Sequence, residues 1–527
     1  LAFFAKIISR TKRRKNFPPP LQGLPQHYIE EGGPDMKKRL ICFSLALVLS
    51  IVSLLPVYAT GSGHQLHTFN YNEWNIPVPS PDAYRVADFI LGEHLGIGHF
   101  NNPRDLQVHG NLLYVADTEN HRIVINEFFE DGTFDVADVV EHVFIDGVPS
   151  TFDRPNGIFV SPWAFNYGEI WIADTHNNRI LHVDSDWNLI TLIDRSKLER
   201  SALEEHNAFL PNKIAVDFSG RIFVQATHVN RGLMEFDHDG YFAGYMGAPD
   251  VTVTPWERFW RMLATREQRD RGWLFVPVEY NSVSIDREGF LMVTTASEDV
   301  ESVRRLNAMG SDVMIRNGFD DPQGDTWWGS AGHIGGPSVL VAATGLPNGT
   351  FVVFDSNRGR LFKYDTQGHM LYAWAGTGHH EGFFMNPSAL DSMGFDLFAL
   401  DAQMGAITRF VLTEYGTLIN EALELYQRGH YEESYTLWRE VLRMNGNFQH
   451  AYGGVARALL RRGYYRQAMH YFRLTNDNSN FGRAFGFYRR IWMEENFWIF
   501  VVVVGVLVIV PPVVKKVLKV RREILAS

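Results

Sequence analysis

Val115-Ala116-Asp117-Thr118-Glu119-Asn120-His121-Arg122-Ile123 returns as Ile172-Ala173-Asp174-Thr175-His176-Asn177-Asn178-Arg179-Ile180. It returns again, worn, as Val353-Phe354-Asp355-Ser356-Asn357-Arg358-Gly359-Arg360-Leu361. A long-period repeat fixes architecture before any single residue does. The grammar around each copy is constant. A Pro and a short apolar stretch come first (Pro103 to Val108, Pro155 to Val160, Pro211 to Val216), then a turn with Gly110, Gly168 or Gly220. An apolar run ending in a small residue and Asp follows, then Asn, Arg and alternating residues. These are short strands punctuated by turn residues. Asp stands five residues before Arg in the pairs Asp117/Arg122, Asp174/Arg179 and Asp355/Arg360. That spacing predicts a polar clasp across a tight turn, with the intervening Asn bonding local backbone.

One four-stranded unit cannot bury both faces alone, whereas units arranged radially can, and radial closure leaves few exposed sheet edges. The fold class expected is therefore mainly β, a six-bladed β-propeller over residues 84–412. Blade starts fall near Arg104, Asn156, Asn212, Asn281, Ser338 and Ser388, the fourth being degenerate. The last unit, Ser388 to Leu412, lacks an outer strand, and Tyr84 to Leu91 reads as an outer strand without inner ones. The early strand is expected to fill that vacancy and lock the ring.

The Pro-x-x-apolar start, the apolar-Ala-Asp-Thr-x-Asn-x-Arg core and the linker Gly96-Ile97-Gly98-His99-Phe100-Asn101-Asn102-Pro103 resemble the NHL family of β-propellers. The blade starts are 52, 56, 69, 57 and 50 residues apart. That exceeds the roughly 40 residues usual for a propeller blade, so the surplus belongs in loops. Part of it is Thr254 to Gly272, where Trp256, Phe259, Trp260 and Leu263 share one helical face. A helix over Trp256-Leu263 would cover a blade edge or dock on a membrane or partner. Residues 298–336 hold further inserted sequence.

Met36-Lys37-Lys38-Arg39, the apolar run Leu40 to Leu55 and Val57-Tyr58-Ala59 have the order of a signal peptide, residues 36–59. Residues 1–35 carry a basic cluster, a Pro run and Glu30-Glu31-Gly32, which a purine-rich ribosome-binding stretch would encode if read in frame. The expectation is a bacterial gene whose start is Met36. Phe497 to Val514 is an uncharged apolar span with Trp492 and Trp498 at one end and Lys515, Lys516, Lys519, Arg521 and Arg522 at the other. It has membrane-helix length, and the basic flank predicts a cytoplasmic tail at 515–527. The expected partner is thus the membrane, through one C-terminal anchor, with the propeller extracellular.

The one cysteine, Cys42, lies in the leader, so a mature chain would have no disulfide framework or thiol nucleophile. Net charge is -11, with residues 1–39 at +6 and 515–527 at +4, which leaves about -21 between them. An acidic ectodomain argues against nucleic acid as its partner.

Residues 415–490 switch to helical periodicity. Gly429-His430-Tyr431, Ser434, Trp438 and Val441 recur 34 residues on as Gly463-Tyr464-Tyr465, Ala468 and Phe472. That period resembles two tetratricopeptide repeats with a final helix, serving as a peptide groove or as a spacer to the membrane.

Residues after each blade-start Pro are expected to face the central channel. The ligand-site candidates at its rim are therefore Arg104, Asp105, Asn156, Asn212, Asn281, Ser338 and Ser388. Pro155-Asn156-Gly157 and Pro211-Asn212-Lys213 also resemble the segment that supplies a metal ligand in gluconolactonase-type propellers. That resemblance implies a divalent cation such as Ca²⁺, held by oxygens, with Asn156 and Asn212 as its metal candidates and no Glu or Asp to complete the set. NHL propellers also include amidating lyases with His-bound zinc, but the histidines here follow no repeat-locked pattern. Two readings remain open. One is a membrane-anchored extracellular scaffold, without a cofactor, that recognises a protein, glycan or small solute. The other is a metal-dependent lactonase-like or lyase-like enzyme.

Overall fold

A computed structural model describes residues 66–72, 76–129, 132–199, 202–203, 207–248, 279–295, 301–318, 321–325 and 336–526. The leader, residues 1–35, the Trp256-Leu263 segment and parts of the 298–336 insertion lie outside them. All described residues belong to one compact unit, Gly63–Ser527.

Six sheets form a six-bladed propeller. Blade 1 holds Asp105–His109, Leu112–Asp117, Arg122–Phe128 and Phe134–Val140. Blade 2 holds Pro155–Val160, Ile170–Asp174, Arg179–Val183 and Leu189–Ile193. Blade 3 holds Pro211–Val216, Ile222–Ala226, Leu233–Phe236 and Phe242–Met246. Blade 4 holds Tyr280–Ile285, Leu291–Thr295 and Val303–Leu306. Blade 5 is built on Leu340–Gly345, Phe351–Asp355, Arg360–Tyr364 and Met370–Ala375. Blade 6 holds Pro387–Met393, Asp396–Asp401 and Ala406–Leu412, with Tyr84–Leu91 as its outer strand.

The innermost strands lie side by side around the ring, and that of blade 6 meets that of blade 1. Second strands are covered on both faces by neighbouring blades, so Ile170–Asp174, Ile222–Ala226 and Phe351–Asp355 are buried throughout. That is why they read as unbroken apolar runs rather than alternating ones. Outer strands such as Leu189–Ile193 and Phe242–Met246 are partly exposed.

The ring closes as the sequence predicts. Tyr84–Leu91 pairs antiparallel with Ala406–Leu412, from Leu412 opposite Tyr84 to Ala406 opposite Leu91. The fold also reaches upstream of residue 84. Phe69–Tyr71 pairs with the outer strand of blade 5, and Pro77–Pro79 pairs with Phe69–Tyr71. Prolines on this last strand deny amide donors to any further strand. Blade 4 ends early, with Asp312 making an isolated bridge to Leu306.

Six helices follow: α1 (Glu414–Gln427), α2 (Tyr431–Met444), α3 (Gln449–Arg461), α4 (Tyr465–Leu474), α5 (Asn478–Glu495) and α6 (Phe497–Ala526). Helix α1 springs directly from blade 6. Thr413 caps it by accepting from the Gly416 amide at 3.3 Å, while its own amide bonds the Ala83 carbonyl at 3.0 Å. Any β-carbon on Gly416 would stand 2.1 Å from that carbonyl oxygen, so only glycine lets the helix approach so closely.

One apolar core joins the two parts. Tyr84, Tyr372, Trp374, Phe384 and Phe410 of the propeller cluster with Tyr415, Ile419, Ala422, Trp438 and Phe448 of the helices. The 34-residue repeat positions Ser434, Trp438, Ala468 and Phe472 are all buried in this module. Helix α6 holds 26 residues (Phe497–Arg522) long and apolar enough to cross a membrane. It runs through Pro511 and Pro512 into the basic segment expected to be a separate tail. The two missing amides break no more than the local ladder.

Candidate functional site

The inner strands engage the polar atoms of most rim candidates with other blades, and Asn156 and Asn212 with each other. Between blades 1 and 2, Asp105 accepts from the Ile158 amide at 3.0 Å, and Gln107 exchanges bonds with both backbone groups of Val160. Across blades 2 and 3, Asn156 Nδ2 donates to Asn212 Oδ1 at 3.1 Å, and Asn212 Nδ2 donates to Thr227 at 2.8 Å. Farther out, the Tyr280 hydroxyl donates to the Gly247 carbonyl between blades 3 and 4. Asn281 bonds the Leu340 carbonyl at 2.9 Å and Ser284 the Ala343 carbonyl at 2.7 Å, joining blades 4 and 5. Thr344 reaches Asp391 at 3.3 Å between blades 5 and 6. Asp391 then accepts from the Val108 amide at 2.8 Å, and Ser388 donates to the Pro103 carbonyl at 3.0 Å, returning to blade 1.

Lys213 reaches from blade 3 past blade 2 to blade 1. Its ammonium donates to Asp105 and, at 2.9 Å, to the Arg104 carbonyl. Burial pushes the Asp105 carboxyl up, with Lys213 acting against it. Burial also pushes Asp391 up to about 6, against its bonds from Val108, Ser392 and Thr344. Arg104 differs from the other rim residues: its side chain is exposed and has no bonded partner among the described residues.

Gly157 has a structural reason. A β-carbon there would lie 2.2 Å from the Asn212 carbonyl oxygen, so the Pro-Asn-Gly segment needs glycine for blades 2 and 3 to approach. Ser338 does not face the channel. It precedes the inner strand of blade 5 and donates to Asp355 at 2.7 Å. In blade 5, Leu340 rather than Pro337 lies opposite the strand-end Asp355, as Pro155 lies opposite Asp174, so the frame is shifted.

The Asp clasps form in two copies. Arg122 Nε meets Asp117 at 2.7 Å, and Arg179 Nε meets Asp174 at 2.8 Å. In the third copy, Arg360 turns to Asp325, while Arg358 lies 3.7 Å from Asp355. The reason is the inserted segment before blade 5, which brings a second buried carboxylate within reach. The intervening Asn residues bond the clasp carboxylate of their own turn, Asn120 to Asp117 and Asn177 to Asp174 at 2.8 Å each, and the backbone they reach is that of the preceding linker: Asn120 to the His99 carbonyl at 2.9 Å and Asn177 to that of Thr151 at 3.2 Å. Thr118 and Thr175 donate to the Pro155 and Pro211 carbonyls of the next blade at 2.8 and 2.6 Å. The repeated motif is therefore an inter-blade staple.

Two buried polar sites at the propeller–helix junction escaped the sequence reading. Lys363 is fully buried and donates to Asn420 of α1 at 2.7 Å. The rings of Tyr84, Tyr372 and Phe395 lie 5.5 to 5.8 Å from its ammonium. Burial pushes this lysine down to about 7. Nearby, Asp365, His369 and His450 converge from blade 5 and α3. Their signal was the turn Asp365-Thr366-Gln367-Gly368-His369, visible only once α3 is known to lie against it.

With this geometry in hand, the chain can be set beside known proteins. Residues 100–125 match the NHL repeat. That match and the six blades support an NHL-type propeller. No match is found among curated proteins. Among solved structures, the chain is similar to virginiamycin B lyase from Staphylococcus aureus at 10% identity and TM-score 0.39, covering 63% of this chain and 100% of that one. It is also similar to the PQQ-bound aldose sugar dehydrogenase from Streptomyces coelicolor at 13% identity and TM-score 0.34, covering 63% and 100%. The Malassezia sympodialis allergen Mala s 1 stands at 10% identity and TM-score 0.35, covering 59% and 93%. At these scores no chemistry passes from those proteins to this one.

Proposed function

We propose that this protein is a membrane-anchored scaffold of the cell exterior, whose propeller and helical module together hold a partner beside the bilayer. The observation that carries the reading is the single apolar core running from Trp374 and Phe410 into Tyr415 and Trp438. A core of that kind makes blades 5 and 6 and the helices one rigid surface, which suits positioning rather than flexible tethering. The channel points the same way. Asn156, Asn212, Asn281 and Ser388 bond across blades, which favours a stitched core over an open ligand pocket. Helix α6 is the anchor in this reading, and α1 to α4 are two tetratricopeptide-like hairpins.

The contact surface favoured for the partner is the propeller face carrying Phe165, Tyr167 and Phe218. These exposed aromatics sit on the turns between first and second strands of blades 2 and 3. Aromatic side chains are enriched where proteins meet proteins. The partner is a protein, and a membrane transport or signalling complex is the class that this location suits.

The test is crosslinking in intact cells, followed by purification of the full chain from solubilised membranes. The expected result is a stoichiometric protein partner whose yield falls at least tenfold with Phe165→Ser, Tyr167→Ser and Phe218→Ser combined. Recovery of the chain alone, or of a partner indifferent to those substitutions, would contradict the reading.

A further inference from the structure

The turn leaving the third strand of blade 5 and the start of α3 bring three metal-binding side chains together. Asp365 is almost wholly buried, with 4% of its side chain exposed, against 9% for His450 and 27% for His369. His369 Nδ1 lies 3.1 Å from Asp365 Oδ2, and His450 Nε2 lies 3.5 Å from the same oxygen. All three donor atoms fall within 4.8 Å of one another. Zinc bonds of about 2.0–2.2 Å in tetrahedral array put neighbouring ligand atoms roughly 3.3 Å apart. The observed separations straddle that value.

An ordinary turn does not account for the arrangement. The same acid-led turn recurs in this fold, with Asp184 bonded to the Asn188 side chain and Asp217 to Arg221. There the residue four positions on is a plain donor. Here it is an imidazole, and a second imidazole arrives from a different module.

The bonding of His450 is also unresolved by protein atoms alone. Arg457 Nη2 stands 3.2 Å from His450 Nε2. A guanidinium only donates, so this contact is a hydrogen bond only when that ring nitrogen presents its lone pair. The same nitrogen then faces a carboxylate oxygen, a second acceptor, at 3.5 Å. In that tautomer two acceptors face each other, which creates a place for a cation, and Arg457 answers it from one side only.

We propose that Asp365, His369 and His450 form a divalent-cation site of the Zn²⁺ type that clips helix α3 to blade 5. Two imidazole nitrogens with one carboxylate suit zinc rather than calcium or magnesium, which prefer all-oxygen sets. Three protein ligands leave a fourth position for water. Arg457 competes with the ion for the His450 lone pair. The site is independent of the scaffold reading and of the channel.

The experiment uses the full chain in detergent, purified without a histidine tag, stripped with chelator and titrated with zinc chloride by calorimetry. Elemental analysis gives the stoichiometry, and circular dichroism checks that each variant folds. One ion per chain is expected. His369→Ala and His450→Ala should each weaken binding at least tenfold, and Arg457→Gln should tighten it. Zinc should raise the unfolding temperature of the native chain and not that of His450→Ala. The proposal is overturned if no stoichiometric zinc binds, or if zinc binds equally well to folded His369→Ala and His450→Ala.

Discussion

Replacing Lys213 with Met tests whether the channel is a stitched core. Lys213 and Asp105 have side chains only 11% and 12% exposed, and they face each other across blades 1 and 3. Methionine matches the stem of lysine but leaves the Asp105 carboxylate with only backbone donors, the Ile158 and Leu106 amides. Removing one partner of a buried ion pair costs about 3–5 kcal/mol. Removing both charges, with Asp105→Asn added, keeps the acceptor for Ile158 and should return stability to within about 1 kcal/mol of the native chain.

The pH dependence supplies a second readout. Burial already holds Asp105 above its ordinary value of 3.8, and loss of Lys213 removes the main influence opposing that rise. An acid with a higher pKa folded than unfolded binds more protons in the folded state between the two values. Stability then falls as pH rises through that window and is regained on acidification. The Lys213→Met deficit should therefore be greatest near neutral pH and shrink toward 3.8, while the double variant should lack this trend. Denaturant unfolding of the full chain in detergent, followed by tryptophan fluorescence at acid and neutral pH, measures both effects. A Lys213→Met cost below about 1 kcal/mol at both pH values would mean a solvated pair and an open channel, and the reasoning would fail.

Other substitutions probe the same framework. Gly157→Ala should destabilise the propeller by at least about 1–3 kcal/mol, read by thermal unfolding, because its β-carbon would meet the Asn212 carbonyl oxygen at 2.2 Å. Gly454→Ala should loosen the helical module by a similar amount, since the new carbon would stand 2.5 Å from the Trp438 ring; proteolysis between α2 and α3 should rise accordingly. Thr118→Val should cost about 1 kcal/mol in denaturant unfolding by deleting the staple to the Pro155 carbonyl, and Thr175→Val should do the same at Pro211.

The blades were legible because burial on both faces writes unbroken apolar runs, and because the Asp-Thr-x-Asn staple repeats with them. Blade 4 was faint because Thr294 and Thr295 stand at the end of its second strand, where blades 1, 2, 5 and 6 carry Asp. The short strands at 69–71 and 77–79 left no periodic trace, and the second begins and ends with proline. Within the channel, residue types could be placed but not their partners. Val108 meets Asp391 across 283 positions and Lys213 meets Asp105 across 108, so no local spacing encodes either bond. The Asp365–His450 contact was hidden for the same reason: one half is a blade turn and the other opens a helix of the second module.

Cysteine accessibility in intact cells tests the central claim most directly, that a closed propeller stands outside the bilayer on one C-terminal helix. Tyr241→Cys reports from an exposed turn of blade 3, and Lys519→Cys from the basic end of α6. A membrane-impermeant maleimide should label Tyr241→Cys in intact cells and Lys519→Cys only after permeabilisation. Labelling in the opposite order, or protection of Tyr241→Cys until the cells are opened, would contradict the account.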